Sequence, residues 1–149
     1  MTTAETFVWY RLHPRLSLGL AHLWKQNAVR YLAAVNAIPQ TEKFPGLNLS
    51  AGVQGIGTGN PGYSATLEKD FAGKDFTWNL FGGLGFRSNE SHSHWLGGAK
   101  ITFIDDWTLG VQADGHRIHP FVTKAFGPYN VGAYLIEMKS PGLLVGYRF

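Results

Sequence analysis

The stretch "FTWNLFGGLGFR" (residues 76–87) decides the fold of this 149-residue chain. Its apolar residues alternate at Phe76, Trp78, Leu80, Leu84 and Phe86. Its polar and small residues stand between them at Thr77, Asn79, Gly83, Gly85 and Arg87, and Phe81 is the exception. Successive side chains of a β-strand point to opposite faces, so this pattern predicts a strand with one apolar face. At about 3.3 Å per residue, a tilted strand of this length is long enough to cross a membrane.

The same alternation recurs from residue 47 to the end of the chain. The further segments are "LNLSAGVQGIG" (47–57), "YSATLEKDF" (63–71), "HWLGGAKITF" (94–103), "WTLGVQADGH" (107–116), "HPFVTKAF" (119–126), "YNVGAYLIE" (129–137) and "LLVGYRF" (143–149). Turn-forming sequences separate them, among them "TGNPG", the pair Asp105–Asp106, "GPYN" and "KSPG". Together these signals predict eight antiparallel strands joined by hairpins.

The first 46 residues allow two interpretations. "FVWYRL" (7–12), "RLSLGLAHLW" (15–24) and "AVRYLAAVNAI" (28–38) read as three more strands. Residues 20–38, however, contain no Gly or Pro and carry apolar residues near helical spacing, which favours a helix. We expect strands here, with a short N-terminal helix as the alternative.

Composition limits the class of protein. The chain has 19 glycines, 14% aromatic and only 15% charged residues, against about 7% glycine and 25% charged residues on average. Without cysteine there are no disulfides and no thiolate metal sites. No run of about 18 apolar residues occurs, which excludes a spanning helix. The start "MTTAETFVWYRL" lacks a signal peptide, so for an exported protein we expect the mature chain to begin here.

Long strands with alternating apolar and polar residues occur both in water and in lipid. A soluble barrel or sandwich turns its apolar face inward, whereas an outer-membrane barrel turns it towards lipid. Here the polar face carries Gly, Ser, Thr, Asn and Gln rather than Lys and Glu, as a crowded interior requires. Aromatic residues lie near strand ends, as in the girdles at membrane interfaces. We therefore favour the membrane barrel.

The carboxy terminus "GLLVGYRF" (residues 142–149) resembles the last strand of bacterial outer-membrane β-barrels. That strand ends in an aromatic residue preceded by alternating hydrophobic residues and a glycine. The matching positions are Gly142, Val145, Tyr147 and Phe149. The resemblance implies that the barrel-assembly machinery reads this strand and that it closes the barrel.

Two histidine-bearing segments are candidates for chemistry. In "SNESHSH" (88–94), Ser and His suggest the triad of outer-membrane lipid A deacylases, but adjacent residues of an extended strand diverge, so we expect a solvated loop. Glu90, His92 and His94 would share a face and offer metal ligands, as a less favoured interpretation. In "QADGHRIHPF" (112–121), Asp114, His116 and His119 surround a turn. A turn that brings the two imidazoles together would offer a metal site, but we expect Asp114 and His116 to continue the polar face.

Two further signals are weak. "GIGTGNPG" (55–62) lacks the Lys-Ser/Thr pair and the helix of a phosphate-binding loop, so a glycine-rich hairpin is expected. Basic and aromatic residues mix early in the chain, at Arg11, Arg15, Lys25, Arg30, Trp9, Tyr10 and Trp24. We expect contact with anionic lipid headgroups rather than with nucleic acid.

The predicted protein is one domain over residues 1–149: an all-β, antiparallel up-and-down membrane β-barrel of about ten strands (8–12) in the bacterial outer membrane. Charges expected to pair in its narrow polar lumen are Glu68, Asp70, Arg87, Lys100, Asp114 and Arg148.

We expect a non-enzymatic structural, narrow-pore or lipid-contacting role, with no catalytic residue, cofactor or metal. The expected partners are outer-membrane lipids, including lipid A, and the barrel-assembly machinery. An outer-membrane lipid hydrolase and a soluble ligand-binding barrel are the alternatives.

Overall fold

A computed structural model describes residues 5–53 and 60–147, which form eleven β-strands in one sheet. The strands are β1 (Glu5–His13), β2 (Leu16–Leu23), β3 (Ala28–Ile38), β4 (Gly46–Val53), β5 (Pro61–Ala72), β6 (Phe76–Arg87), β7 (Ser93–Phe103), β8 (Trp107–Ala113), β9 (Ile118–Phe126), β10 (Tyr129–Ile136) and β11 (Ser140–Tyr147). They follow one another across the sheet in chain order, and neighbours are antiparallel. The predicted all-β, up-and-down arrangement is confirmed, as are the eight strands after residue 46.

The helical alternative for residues 20–38 is wrong. The segment holds the end of β2, a turn and β3, and Asn27 takes a positive φ of 45° in the turn. Pairing across the turn outweighs local helix preference, because Ala21 and Leu23 on β2 pack with Leu32 on β3 as the buried apolar cluster. The described residues contain no helix long and apolar enough to cross a membrane.

The predicted turn at "KSPG" is displaced by two residues. The chain turns at Glu137 and Met138, whose φ angles are 56° and 57°, and Ser140 already pairs with Ile136 in the ladder. Pro141 is tolerated within β11 because β11 lies at the edge of the sheet, where a missing backbone N–H breaks no second ladder.

The two faces of the sheet differ in chemistry and in exposure. The polar face carries, among others, Asn48, Glu68, Asn79, Arg87, His94, Gln112, His119 and Thr123; the apolar face carries Leu18, Tyr31, Leu49, Leu67, Leu84, Trp95, Leu109 and Val131. Asn79, Arg87, His94, His119 and Thr123 are buried, whereas Leu67, Leu84 and Trp95 are exposed. The sheet therefore curves towards its polar face and turns its apolar face outward.

The curvature encloses a cavity of about 670 Å³ on the polar side. Arg11 of β1 and Gln112 of β8 both line it, so strands far apart in the sheet approach each other. Among the described residues no ladder joins β11 to β1, and the sheet is open there. Because successive strands alternate in direction, these two odd-numbered edge strands run the same way.

Glycines on the polar face make room for large side chains on neighbouring strands. A Cβ at Gly98 would lie 2.5 Å from the ring of Phe81, the residue that interrupts the alternation in β6. Gly110 lies under the ring of Phe121 in the same way, and Tyr134 stacks on Phe121 at 5.1 Å. The glycine-rich composition thus accommodates aromatic rings inside a curved sheet.

Candidate functional site

A buried ion pair lies where two turns meet at one end of the polar face. Arg87 is the last residue of β6, and its Nη2 lies 3.2 Å from Oδ2 of Asp114, in the turn after β8. The same Nη2 donates to the carbonyl oxygen of Asp114 at 3.0 Å. The two side chains are only 7% and 10% exposed, so the pair is shielded from water.

Asp114 also organises its own turn. Its Oδ1 accepts hydrogen bonds from the backbone N–H groups of His116 and Arg117, at 3.1 and 3.0 Å. Burial raises the pKa of this carboxyl. The two N–H groups and the Arg87 guanidinium together lower it by more than burial raises it, so the pKa lies below its usual value. The carboxylate is therefore ionised at neutral pH.

Gly115 brings this turn against β7. Its φ of 89° favours glycine, and a Cβ there would lie 2.9 Å from the carbonyl oxygen of Trp95 and closer still to the side chain of His94. The close approach projects His116 over His94, and their ring centroids are 4.2 Å apart.

Glu90, His94 and His116 form a cluster that we call the Glu–His–His cluster. Glu90 lies in the turn between β6 and β7, and its Oε2 contacts Nε2 of His94. Its Oε1 lies 3.5 Å from Nε2 of His116 and 3.5 Å from Nη1 of Arg87. Glu90 and His94 come from the first histidine-bearing segment and His116 from the second. The sequence pattern presents these segments as separate candidates.

The other residues of these two segments take different positions. His92 precedes β7, and its ring is tilted against that of His94 with the centroids 4.6 Å apart, but it lies outside the cluster. His119 is buried in β9; its Nδ1 accepts from the backbone N–H of Glu137 at 3.1 Å. Ser93 lies on the opposite face from His94, and in the described part of the chain neither Ser91 nor Ser93 hydrogen bonds to an imidazole.

A row of polar side chains crosses four strands beside the cavity. Asn36 donates to Asn48 at 3.1 Å, and Asn48 donates to Oε2 of Glu68 at 2.7 Å. Nδ2 of Asn79 then bridges Oε1 of Glu68 and Oδ1 of Asp70, at 2.6 Å each. The sequence pattern does not predict that these asparagines link the carboxylates. Alternation assigns each side chain to a face of the sheet, but it does not identify the side chain to which it hydrogen bonds on the neighbouring strand.

The six charges predicted to pair have different neighbours. Arg87 and Asp114 pair directly, and Glu68 and Asp70 are joined through Asn79. Lys100 lines the cavity next to Asn79, and among the described residues no carboxylate lies within ion-pair distance of it. Arg148 lies outside the described residues.

The residues of the predicted assembly strand fall on β11, except the last. Gly142 is on the polar face, Val145 is exposed on the apolar face, and Tyr147 is the final residue of β11. Phe149 and most of the glycine-rich hairpin at 55–62 lie outside the described residues.

The early basic residues do not form one patch. Arg11 and Arg15 line the cavity at one end of β1 and β2, whereas Lys25 lies in the turn at the other end. Arg30 points to the polar face from β3.

Comparison with protein-family models, with curated proteins and with solved structures finds no match for this chain.

Proposed function

We propose that the chain is a small β-barrel of the bacterial outer membrane with a non-enzymatic role, as a structural element, a narrow passage or a lipid-contacting module. The observation that carries this proposal is the inversion of the two faces. Buried side chains of the sheet include Asn79, Arg87 and His119 beside the small cluster of Ala21, Leu23 and Leu32. Leu67, Leu84 and Trp95 on the apolar face are exposed. Water disfavours such an apolar exterior, and lipid favours it.

The aromatic residues of the apolar face support this orientation because they lie at two levels. Tyr63, Phe86 and Trp95 are neighbours near one end of β5, β6 and β7. Near the other end lie Phe71, Phe76, Trp78, Phe103, Trp107 and Phe126. Aliphatic residues fill the band between them. Two aromatic girdles around an aliphatic band are typical of membrane barrels.

Two lysines on the apolar face also fit a membrane surrounding. Lys69 donates to the carbonyl oxygens of Thr41 and Glu42 beyond the strand end, and Lys124 donates to the carbonyl oxygen of Asp105. The Nζ of Lys124 lies 5.4 Å from the ring centroid of Trp107. Lysines near a membrane boundary turn their ammonium groups away from the hydrocarbon in this way.

Strand length and interior suit a small barrel. Six strands, β1, β3, β5, β6, β7 and β9, have 9 to 12 residues and reach the about 9–11 needed by a tilted strand, while the other five have 7 or 8. Closing the sheet on itself would bring β1 and β11 together as its one parallel pair, since both run in the same direction. The side chains and rings on the polar face, with the cavity of about 670 Å³ beside them, favour a narrow interior over a wide channel.

Reconstitution tests the proposal. The full chain, refolded in detergent and mixed with phospholipid vesicles, is expected to float with the vesicles and to migrate differently on gels before and after boiling. A chain that stays in the aqueous phase without detergent, with the same mobility before and after boiling, would show that the proposal is wrong.

An arginine in the aliphatic band gives a second, quantitative test. Leu67 is exposed midway between the aromatic residues Tyr63 and Phe71 of β5. We expect Leu67→Arg to lower the free energy of unfolding in vesicles by about 2–4 kcal/mol, because the charge must enter hydrocarbon. Urea titration of the vesicle-inserted protein measures this change.

Ser93→Arg is the matched control for that substitution. Ser93 lies on the same face but at the start of β7, beside Phe86. Near the interface an arginine costs about 0–1 kcal/mol. Equal effects of the two substitutions would contradict a membrane around this face.

A further inference from the structure

We propose that the Glu–His–His cluster binds a divalent metal ion of the zinc type. This departs from the prediction of no metal site, which considered the two histidine-bearing segments separately. It does not depend on whether the apolar face meets lipid, because the cluster lies in and beside the turns at one end of the polar face.

The geometry gathers three metal-binding groups from two parts of the chain, Glu90 and His94 from one and His116 from the other. Glu90, His94 and His116 each offer one ligand atom, and all three atoms lie within 4.8 Å of one another. Atoms at these separations reach a single ion after small side-chain movements, since Zn–N and Zn–O distances are about 2.0–2.2 Å.

The exposure of the three side chains increases from one side of the cluster to the other. His94 is 5% exposed, Glu90 18% and His116 44%. The inner ligands are thus fixed by packing, while the outer imidazole faces solvent and leaves a path for an ion. A fourth coordination position would remain open to water.

The ligand chemistry indicates the class of metal. Two imidazoles and one carboxylate match the His₂Glu set of zinc sites with an open position, whereas Mg²⁺ and Ca²⁺ prefer oxygen ligands. Local charge also favours a cation, because two carboxylates, Glu90 and Asp114, face one guanidinium, that of Arg87.

Outer contacts hold the ligands in place. Asp114 accepts hydrogen bonds from the backbone N–H of His116 and pairs with Arg87, so the turn that carries His116 is anchored to the end of β6. Arg87 keeps this partner when Glu90 turns to an ion. Such surrounding hydrogen bonds orient ligands and raise metal affinity.

Calorimetric titration of the chelator-treated, detergent-refolded full chain with Zn²⁺ tests the site. We expect one equivalent to bind. Loss of a residue that only orients a metal ligand weakens metal binding by about 10–100-fold. His116→Ala and Glu90→Gln each remove a ligand itself, so each should weaken Zn²⁺ binding by more than that. His116 is half exposed, and its removal leaves the hydrogen bonds of Asp114 intact, so His116→Ala is expected to fold.

His92→Ala is the matched control, because His92 lies in the turn before β7 and its ring contacts that of His94 without joining the cluster. Its Zn²⁺ affinity should equal that of the parent. The proposal fails if the parent binds no Zn²⁺, if His116→Ala binds as tightly as the parent, or if His92→Ala loses as much affinity as His116→Ala. Circular dichroism of each variant separates a lost ligand from a lost fold.

Discussion

Substitution of Gly83 by alanine is expected to lower the free energy of unfolding by about 1–3 kcal/mol or more. Gly83 lies in β6 opposite Thr66 of β5. A Cβ at this position would lie 2.7 Å from Cα of Thr66 and would overlap the carbonyl oxygen of Ala65. Both obstacles are backbone atoms, which no side-chain rotation can remove, so the β5–β6 ladder must distort. Urea unfolding of the refolded protein measures the loss.

Gly82→Ala is the control one residue away. A Cβ there would have only the carbonyl oxygen of Leu96 nearby, at 3.9 Å. Alanine restricts the unfolded chain more than glycine does, and in a strand interior it gains about 0.5–1 kcal/mol. The two substitutions should therefore shift the unfolding midpoint in opposite directions. A destabilised Gly82→Ala, or a Gly83→Ala as stable as the parent, would contradict this account of β6.

Replacing Asp114 by alanine should cost about 3–5 kcal/mol, the usual penalty for removing one partner of a buried ion pair. The change leaves the buried guanidinium of Arg87 without its nearest carboxylate and removes the two hydrogen bonds that shape the turn. The measurement is again the unfolding free energy at neutral pH. Because the pKa of Asp114 is lowered by folding, its stabilisation is present above the ordinary carboxyl pKa and is lost as pH falls through the folded value.

Glu137→Gln provides the comparison on the surface. Glu137 pairs with Arg117, and these side chains are 36% and 51% exposed. Screening by water limits such a pair to about 0–1 kcal/mol. If Asp114→Ala costs no more than Glu137→Gln, the pair between Arg87 and Asp114 is not the anchor of this end of the sheet.

Much of the fold could be predicted because period-two alternation is a local signal. The strand over residues 76–87 coincides with β6, and even its exception has a structural reason, since Phe81 packs over Gly98. The helix considered for residues 20–38 shows the limit of such reasoning. Absence of Gly and Pro permits a helix, but the pairing of β2 with β3, which buries Ala21, Leu23 and Leu32 together, decides for strands, and this pairing is not visible in a local window.

The candidate site was less predictable because its members come from different turns. The sequence offers Glu90, His92 and His94 as metal ligands only in a less favoured interpretation, and it predicts His116 on the polar face of a separate segment. The Glu–His–His cluster depends on the close approach of Gly115 to β7, which follows from the hairpin geometry and a positive φ. His92, which the alternation placed beside His94 as a ligand, precedes the strand and lies outside the cluster.

The row of amides and carboxylates across β3 to β6 affects the register in which these strands pair during folding. An alternating hydrophobic pattern is unchanged when one strand slides by two residues, so apolar burial alone permits several pairings. Sliding β5 by two residues past β4 would separate Glu68 from Asn48, and sliding it past β6 would separate Asp70 from Asn79. Each misaligned pairing would separate these acceptors and donors, which costs most at Asn79, the buried member of the row. These four hydrogen bonds therefore select a single alignment among those that the alternating apolar pattern permits equally.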